Sequence, residues 1–154
     1  MDSQGFLRIA AQNARAQSDD PHTQNGAIIA VGDTIYAKGA NEFPYRIEGS
    51  EERKQSPLKY SYILHAEQAA IADAARNGFS TLDSTIYVLW ACCSTCAKLI
   101  INSGIRKVVM SAKLLRLTPD RWLDEVIAGV NMLQEARIEV EQVEDIGVEV
   151  LFDG

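Results

Sequence analysis

No stretch of the chain approaches twenty consecutive apolar residues and no basic-then-apolar leader opens it, so neither a membrane span nor export is expected. Cations are in deficit: 15 lysines and arginines stand against 21 aspartates and glutamates, a formal net charge of −6. That balance argues against the contiguous basic surface on which phosphate-backbone binding depends, and long nucleic acid is not an expected partner. A local pocket for one phosphate remains compatible with it, because net charge does not say where the positives sit. Cysteine is scarce as well. Cys92, Cys93 and Cys96 lie within five positions and cannot build a distributed disulfide framework, which points to a reducing compartment, the cytoplasm. Repeats and low-complexity segments are absent, and 154 residues with 47% hydrophobic content are enough to bury a core, so a single domain over residues 1–154 is expected.

What is present is an alternation of helix and strand signals. Phe6, Ile9, Ala10, Asn13 and Ala14 recur at helical spacing up to a stop at Ser18-Asp19-Asp20-Pro21. Residues 26–31 and 34–40 flank Gly32-Asp33 as a hairpin; its first strand is apolar throughout and therefore central, and its second delivers Asn41. Residues 42–58 show no period and read as a solvated loop, with a pocket wall, a lid or a subunit contact as alternatives. Gln68 to Arg76 is a run of helix formers ended by Asn77-Gly78. Residues 85–90 read as a buried strand, 97–102 as a helix stopped by Gly104, and 107–110 as a short strand. Residues 113–117 are an ambiguous apolar-basic connection; Thr118-Pro119 has the N-cap, proline-first form of a helix start, and that helix runs to Ala136. Residues 138–143 alternate as a last core strand, and residues 146–152 read as an added edge strand or a partner contact. A hairpin followed by three β-α steps predicts an α/β architecture, a mixed sheet with helices on both faces, whose ligands bind at strand C-terminal ends against helix N-termini.

One constellation in this frame carries chemistry. His65-Ala66-Glu67 opens one helix, and Trp90-Ala91-Cys92-Cys93-Ser94-Thr95-Cys96 joins a strand to the first turn of another. The C-x-x-C spacing puts both sulfurs on one face of that turn, where unpaired N–H groups and the helix dipole favour thiolate. Alone, such a pair could equally be a redox dithiol or two core cysteines. With His65 beside them, two thiolates and a neutral imidazole balance the charge of Zn²⁺ and leave a fourth position for water, the pattern of a catalytic site. A closed structural site would need Cys92 or His22 as the fourth ligand, and Cys92 reads better as an apolar wall residue. Glu67, next to a ligand but not needed as one, is free to carry a proton.

These residues, preceded by Gly39-x-Asn41, resemble the zinc-dependent cytidine and deoxycytidylate deaminase superfamily over about residues 5 to 142. Within it the dCMP deaminase branch is the most similar, on Asp20-Pro21-His22-Thr23-Gln24-Asn25-Gly26-Ala27, on Lys59 through Glu67, and on Cys96 to Ile101 followed by Ser103-Gly104-Ile105. Three positions depart from the family's usual pattern: Cys92 replaces a proline, Ala69 an asparagine, and Gly39-Ala40-Asn41-Glu42 a Gly-Tyr-Asn-Gly segment. The resemblance implies a three-layer α/β/α fold with a mixed five-stranded sheet and a homo-oligomer, dimer or hexamer. It also implies one Zn²⁺ per chain, held by His65, Cys93 and Cys96, and hydrolytic deamination of a small nucleotide, dCMP to dUMP, with release of ammonia. Glu67 would be the proton shuttle, Asn41 would hold the sugar or ring through its amide, and the Ala66 N–H would donate to the base carbonyl. Thr23 and Gln24 align with the family's loop near the nucleotide, and Arg116, Lys113 and Lys59 are the cations available for a phosphate. Ala40 and Glu42 imply weak triphosphate control or none. Rival expectations keep the same chemistry for guanine, a modified cytosine nucleotide or a base in RNA, or make the chain a zinc-stabilised binding or assembly module.

Overall fold

A computed structural model describes residues 1–90 and 92–152, so Ala91 of the strand-to-cysteine connection and the last two residues of the expected 1–154 domain lie outside it. The first helix, α1 (Ser3–Gln17), starts at Asp2, whose carboxylate accepts the Gly5 N–H at 2.8 Å and satisfies one of the open donors of the first turn. Its inner face carries Phe6, Leu7, Ala10, Ala11 and Ala14, all buried. β1 (Gly26–Val31) and β2 (Thr34–Ala40) form the hairpin, with Gly32 at φ 58° supplying the left-handed turn conformation. β3 (Thr85–Val88), β4 (Lys107–Ser111) and β5 (Glu139–Val143) complete a five-stranded sheet in the order β2-β1-β3-β4-β5. The pairings β1 to β2 and β1 to β3 are antiparallel, whereas β3 to β4 and β4 to β5 are parallel. The sheet is mixed, with β1 interior and the outer half of β2 exposed.

Side chains alternate across it. Ala27, Ile29, Ile86, Val88, Val108 and Met110 face a layer made by α3 (Ala66–Arg76), α4 (Ser94–Asn102) and α6 (Asp120–Glu135). Ile28, Ala30, Tyr87 and Val109 face α1 and Leu114 of the short α5 (Ala112–Arg116) on the other side, so the architecture is α/β/α. Among the described residues no helix is long and apolar enough to cross a membrane.

Four local readings change. Regular pairing in the third strand stops at Val88, two residues early, because the chain bends there toward the cysteines. Residues 113–117 coil into α5, capped by Ser111, whose hydroxyl accepts the Leu114 N–H. Pro119, not Thr118, is the N-cap of α6: Thr118 Oγ1 is occupied in donating to the Leu115 carbonyl and accepting the Trp90 indole N–H. The segment after β5 forms no strand, only a single bridge between Phe152 and Thr23. Residues 42–58 hold a 3-10 turn, Glu52–Lys54, and lead into the one-turn helix α2 (Lys59–Tyr62).

The approach of α3 to the hairpin rests on missing side chains. A Cβ at Gly39 would stand 2.4 Å from the Ala70 nitrogen and 2.6 Å from the Ala69 Cβ, which also explains why a small residue follows Gln68. We expect Gly39→Ala to push α3 off β2 and lower stability by about 1–3 kcal/mol, the usual cost of overpacking, read as an earlier urea midpoint at unchanged slope.

Candidate active site

Two helix N-termini meet at the end of the sheet where β3 finishes. His65 is the N-cap of α3, and its own N–H donates to the Gln68 side chain at 2.9 Å. Cys93 is the N-cap of α4, which places Cys96 on the same first turn. His65 Nδ1 lies 3.2 Å from Cys96 Sγ and 3.4 Å from Cys93 Sγ, and the three ligand atoms fall within 4.8 Å of one another. Two donors bound to one tetrahedral zinc at ordinary Zn–N and Zn–S lengths would be about 3.6 Å apart, so the donor set fits the ion. Cys96 is buried, Cys93 half-buried and His65 exposed, which leaves the set open on one side. Cys92 stands apart, fully buried in the core against the sheet; burial pushes its thiol pKa well up, as suits an apolar wall residue rather than a ligand.

Protein groups alone already separate the protons. The hydrogen bond from Cys96 lowers the Cys93 thiol to about 4, with His65 assisting, and the same hydrogen bond, with burial, raises Cys96. His65 is raised by its hydrogen bond with Cys93, against the effect of burial. Thiolate at Cys93 is also favoured by the positive end of α4. Glu67, in the first turn of α3, is 3% exposed, and burial raises its carboxyl above the usual range. Its Oε1 is buried with no hydrogen-bond partner among the described residues. A buried carboxylate oxygen left open costs about 1–3 kcal/mol, and such costs gather where a ligand supplies the missing contact.

The donor set opens into a cavity of about 200 Å³ that Ala66 and Glu67 also line. On one side Asn41 ties the 18–25 loop together: its Oδ1 accepts from Ser18 Oγ at 2.5 Å and from the Asn25 N–H at 3.0 Å, and its Nδ2 donates to the Thr23 carbonyl at 2.7 Å. The amide expected to grip a sugar or ring is therefore mostly engaged, with at most one N–H left for a ligand. Thr23 lines the cavity, as expected. Lys59 does too, but its ammonium is 3.2 Å from Asp20, with both side chains 11% exposed. Breaking one half of so buried a pair costs about 3–5 kcal/mol. Ala66 is the first residue of α3, so its N–H has no acceptor within the helix.

Arg116 and Lys113 do not line this cavity. Arg116 is exposed and forks onto Glu144 at 3.1 and 3.0 Å. None of residues 42–58 lines it either; the lining passes from Asn41 to Lys59. The residues that sequence reading missed are at the rim: Arg121, Trp122, Tyr60, Trp90 and Phe152. Trp122 packs on Tyr60 with ring centroids 5.5 Å apart, and Arg121 lies 6.0 Å from the Trp122 ring. Among the described residues Arg121 forms no ion pair, unlike Lys59 and Arg116. One signal was available: a cation in the first turn of a helix opposes the dipole and suggests an anion to compensate it.

An α/β/α protein whose histidine and two cysteines converge at helix N-termini, with a buried carboxyl beside them that leaves one oxygen unpartnered, is of the zinc-dependent hydrolase class. The model of the cytidine and deoxycytidylate deaminase zinc-binding region matches residues 1–112, and the chain belongs to that family. It is 33% identical over 126 residues to an uncharacterized deaminase of the luxG 3′ region of Aliivibrio fischeri, covering 80% of this chain and 81% of that protein. It is also 33% identical over 147 residues to a probable deoxycytidylate deaminase of Caenorhabditis elegans, covering 91% and 68%. The dCMP deaminase of cyanophage S-TIM5, solved in complex with dCMP and dUMP, superposes with a TM-score of 0.72 at 26% identity, covering 91% and 95% of the two chains.

Metal analysis should find one zinc per chain, and X-ray absorption two sulfurs at about 2.3 Å with light-atom ligands at about 2.0–2.1 Å. A third sulfur in that shell would place Cys92 on the metal and refute the open site. Cys96→Ser should lose the zinc.

Proposed function

We propose that the protein catalyses the zinc-dependent hydrolytic deamination of dCMP to dUMP, with ammonia as the second product. The observation that carries this reading is Glu67 Oε1, a buried carboxylate oxygen without a partner, on a residue that lines the same cavity as His65 and Cys93. Zinc held by those three residues would supply a water acidic enough to act as nucleophile near neutral pH. Glu67 would take one proton from that water and give it to ring N3, leaving a hydroxide to add to the electrophilic C4; it would then move the second proton from the added hydroxyl to the amine, so that the C4–N bond breaks, ammonia leaves and the C4 oxygen becomes the carbonyl. Its raised pKa suits a group that must accept and release a proton in turn. The Ala66 N–H donates to the base carbonyl, and the remaining Asn41 N–H and Thr23 meet the sugar. The likeness to proteins described as deoxycytidylate deaminases supports the choice of base.

Arg121 replaces Arg116 as the cation proposed for the 5′-phosphate, because it lines the mouth and Arg116 does not. Lys59 contributes through its pair with Asp20, as a fixed positive end at the wall. The reading places the enzyme in the cytoplasm, where Cys93 and Cys96 stay reduced, and has it act as a homo-oligomer on free nucleotide.

An ammonia-release panel of cytosine, cytidine, deoxycytidine, CMP, dCMP, guanine and a single-stranded oligonucleotide tests the substrate. dCMP should be turned over best, and equal turnover of deoxycytidine would remove the phosphate from the reading. Arg121→Ala should raise KM for dCMP by about tenfold or more and leave deoxycytidine nearly unchanged, as for loss of one charge-assisted contact, whereas Arg116→Ala should alter neither. Glu67→Gln keeps shape and zinc but cannot carry the proton, so kcat should fall by about two or more orders of magnitude. Near-normal turnover by the zinc-loaded variant would defeat the mechanism.

A further inference from the structure

The segment after β5 bends at Gly147, whose φ is 72°, and is extended from Val148 on, with inward and outward side chains alternating along it. Ile146, Val148 and Val150 pack against the layer that holds α1, while Gly147, Glu149 and Leu151 alternate with them. In the extended part the period of two puts the next inward side chain after Val150 at Phe152, and about 3.3 Å per residue carries it roughly 13 Å from Val148. The segment is fastened at both ends. Near its start Arg8 Nε donates to the Ile146 carbonyl at 2.7 Å, and the Gln4 side chain donates to the Asp145 carbonyl. Near its far end the Gln24 N–H donates to the Leu151 carbonyl at 2.7 Å, the Leu151 N–H donates to Gln24 Oε1 at 2.8 Å, and Phe152 bridges Thr23.

These fastenings deliver the Phe152 ring to the wall of the cavity that holds His65, Glu67 and Cys93. It lies against Trp90, with centroids 4.4 Å apart and planes tilted by 52°. Trp90 is itself fixed: its indole N–H donates to Thr118 Oγ1 at 3.2 Å and its backbone N–H to Asn25 Oδ1 at 3.3 Å. A flexible side chain here would offer no defined surface. Two interlocked rings, one held by hydrogen bonds and the other by a clamped backbone, form a rigid apolar face beside the polar loop of Thr23, Asn25 and Asn41.

We propose that Phe152 is a specificity-determining residue: together with Trp90 it forms the aromatic wall against which the aminated ring of the substrate is seated. Contact with a ring wall acts on the bound substrate and on the transition state alike, so it governs KM and leaves the proton transfers of Glu67 unchanged. The identity of the ring rests on the deamination reading; the wall does not.

The test compares the zinc-loaded full chain with its Phe152→Ala and Phe152→Leu variants. With dCMP, F152A should raise KM about tenfold at a kcat within about threefold of the parent and unchanged zinc content, and F152L should recover part of the loss. Unchanged KM in F152A overturns the proposal, as does a fall in kcat with KM constant. A second comparison needs no substrate. In a Trp122→Phe background Trp90 is the sole indole, and F152A should give a larger Stern–Volmer constant for acrylamide quenching; an unchanged constant overturns the placement of Phe152 on Trp90. If quenching rises while KM stays fixed, Phe152 covers Trp90 without meeting the substrate, and the proposal is wrong. Should the parent protein release ammonia from none of the panel, the deamination reading fails separately, and the quenching comparison alone decides the wall.

Discussion

For His65 Nδ1 to stand 3.2 Å from Cys96 Sγ, the first turns of α3 and α4 must arrive at the same end of the sheet at the same height. A slip of one residue along either helix is 1.5 Å of rise with a rotation of about 100°, enough to take a donor out of the set. The position of α4 follows from β3, which runs parallel to β4 and hands the chain to the helix that crosses between them. That of α3 follows from the hairpin, onto which it is lowered through Gly39 and the small faces of Ala69 and Ala70. Both helices then bury alanines in one core, Ala70 and Ala74 from α3 and Ala97 from α4.

This convergence is costly for the protein alone, because it collects open helix donors, a thiolate and a desolvated carboxyl in one place. The helix ends offset part of the cost, since their N–H groups and dipoles favour the negative charge on Cys93. For Glu67, in the first turn of α3, burial outweighs the lowering effect of His65 and of its backbone N–H, so its pKa is raised, and one of its oxygens is left without a partner. A core optimised for stability would place a leucine or alanine there. That local contradiction of the packing rules marks the functional centre more clearly than any single residue type.

Helix α6 ties the ligand loop to the cavity. Glu125 accepts a hydrogen bond from the Ser94 hydroxyl at the start of α4. One turn on, Gly129 lies so close to the backbone beneath that a Cβ would stand 2.4 Å from the Cys92 carbonyl oxygen and 2.9 Å from that of Cys93. The same helix contributes Arg121, Trp122 and Val126 to the cavity. Its seat on the cysteine loop and its face toward the mouth are therefore one rigid placement, and the rim cannot move far without disturbing Cys93.

The elements and the metal donors could be read from the chain because both are local. Alternating and helical periods give strands and helices, Gly32-Asp33 gives the hairpin, and a histidine and two cysteines on first turns present their side chains at a spacing that sequence records. Thr118 and residues 113–117 were harder, since a cap and a short helix are decided by which hydrogen bonds the neighbours have already taken. The rim was legible only in part: Thr23, Asn41 and Lys59 do line the cavity, but their partners and the residues beside them could not be read. Lys59 finds Asp20 across 39 residues, Gln24 finds Leu151 across 127, and Arg116 turns away to Glu144. The sequence by itself determined which donors and which carboxyl are available to a metal site in this protein, because their identity resides in residue types at short spacing. Only the tertiary structure decided which cation and which aromatic rings face that chemistry, because those choices depend on the mutual packing of segments that share no local pattern.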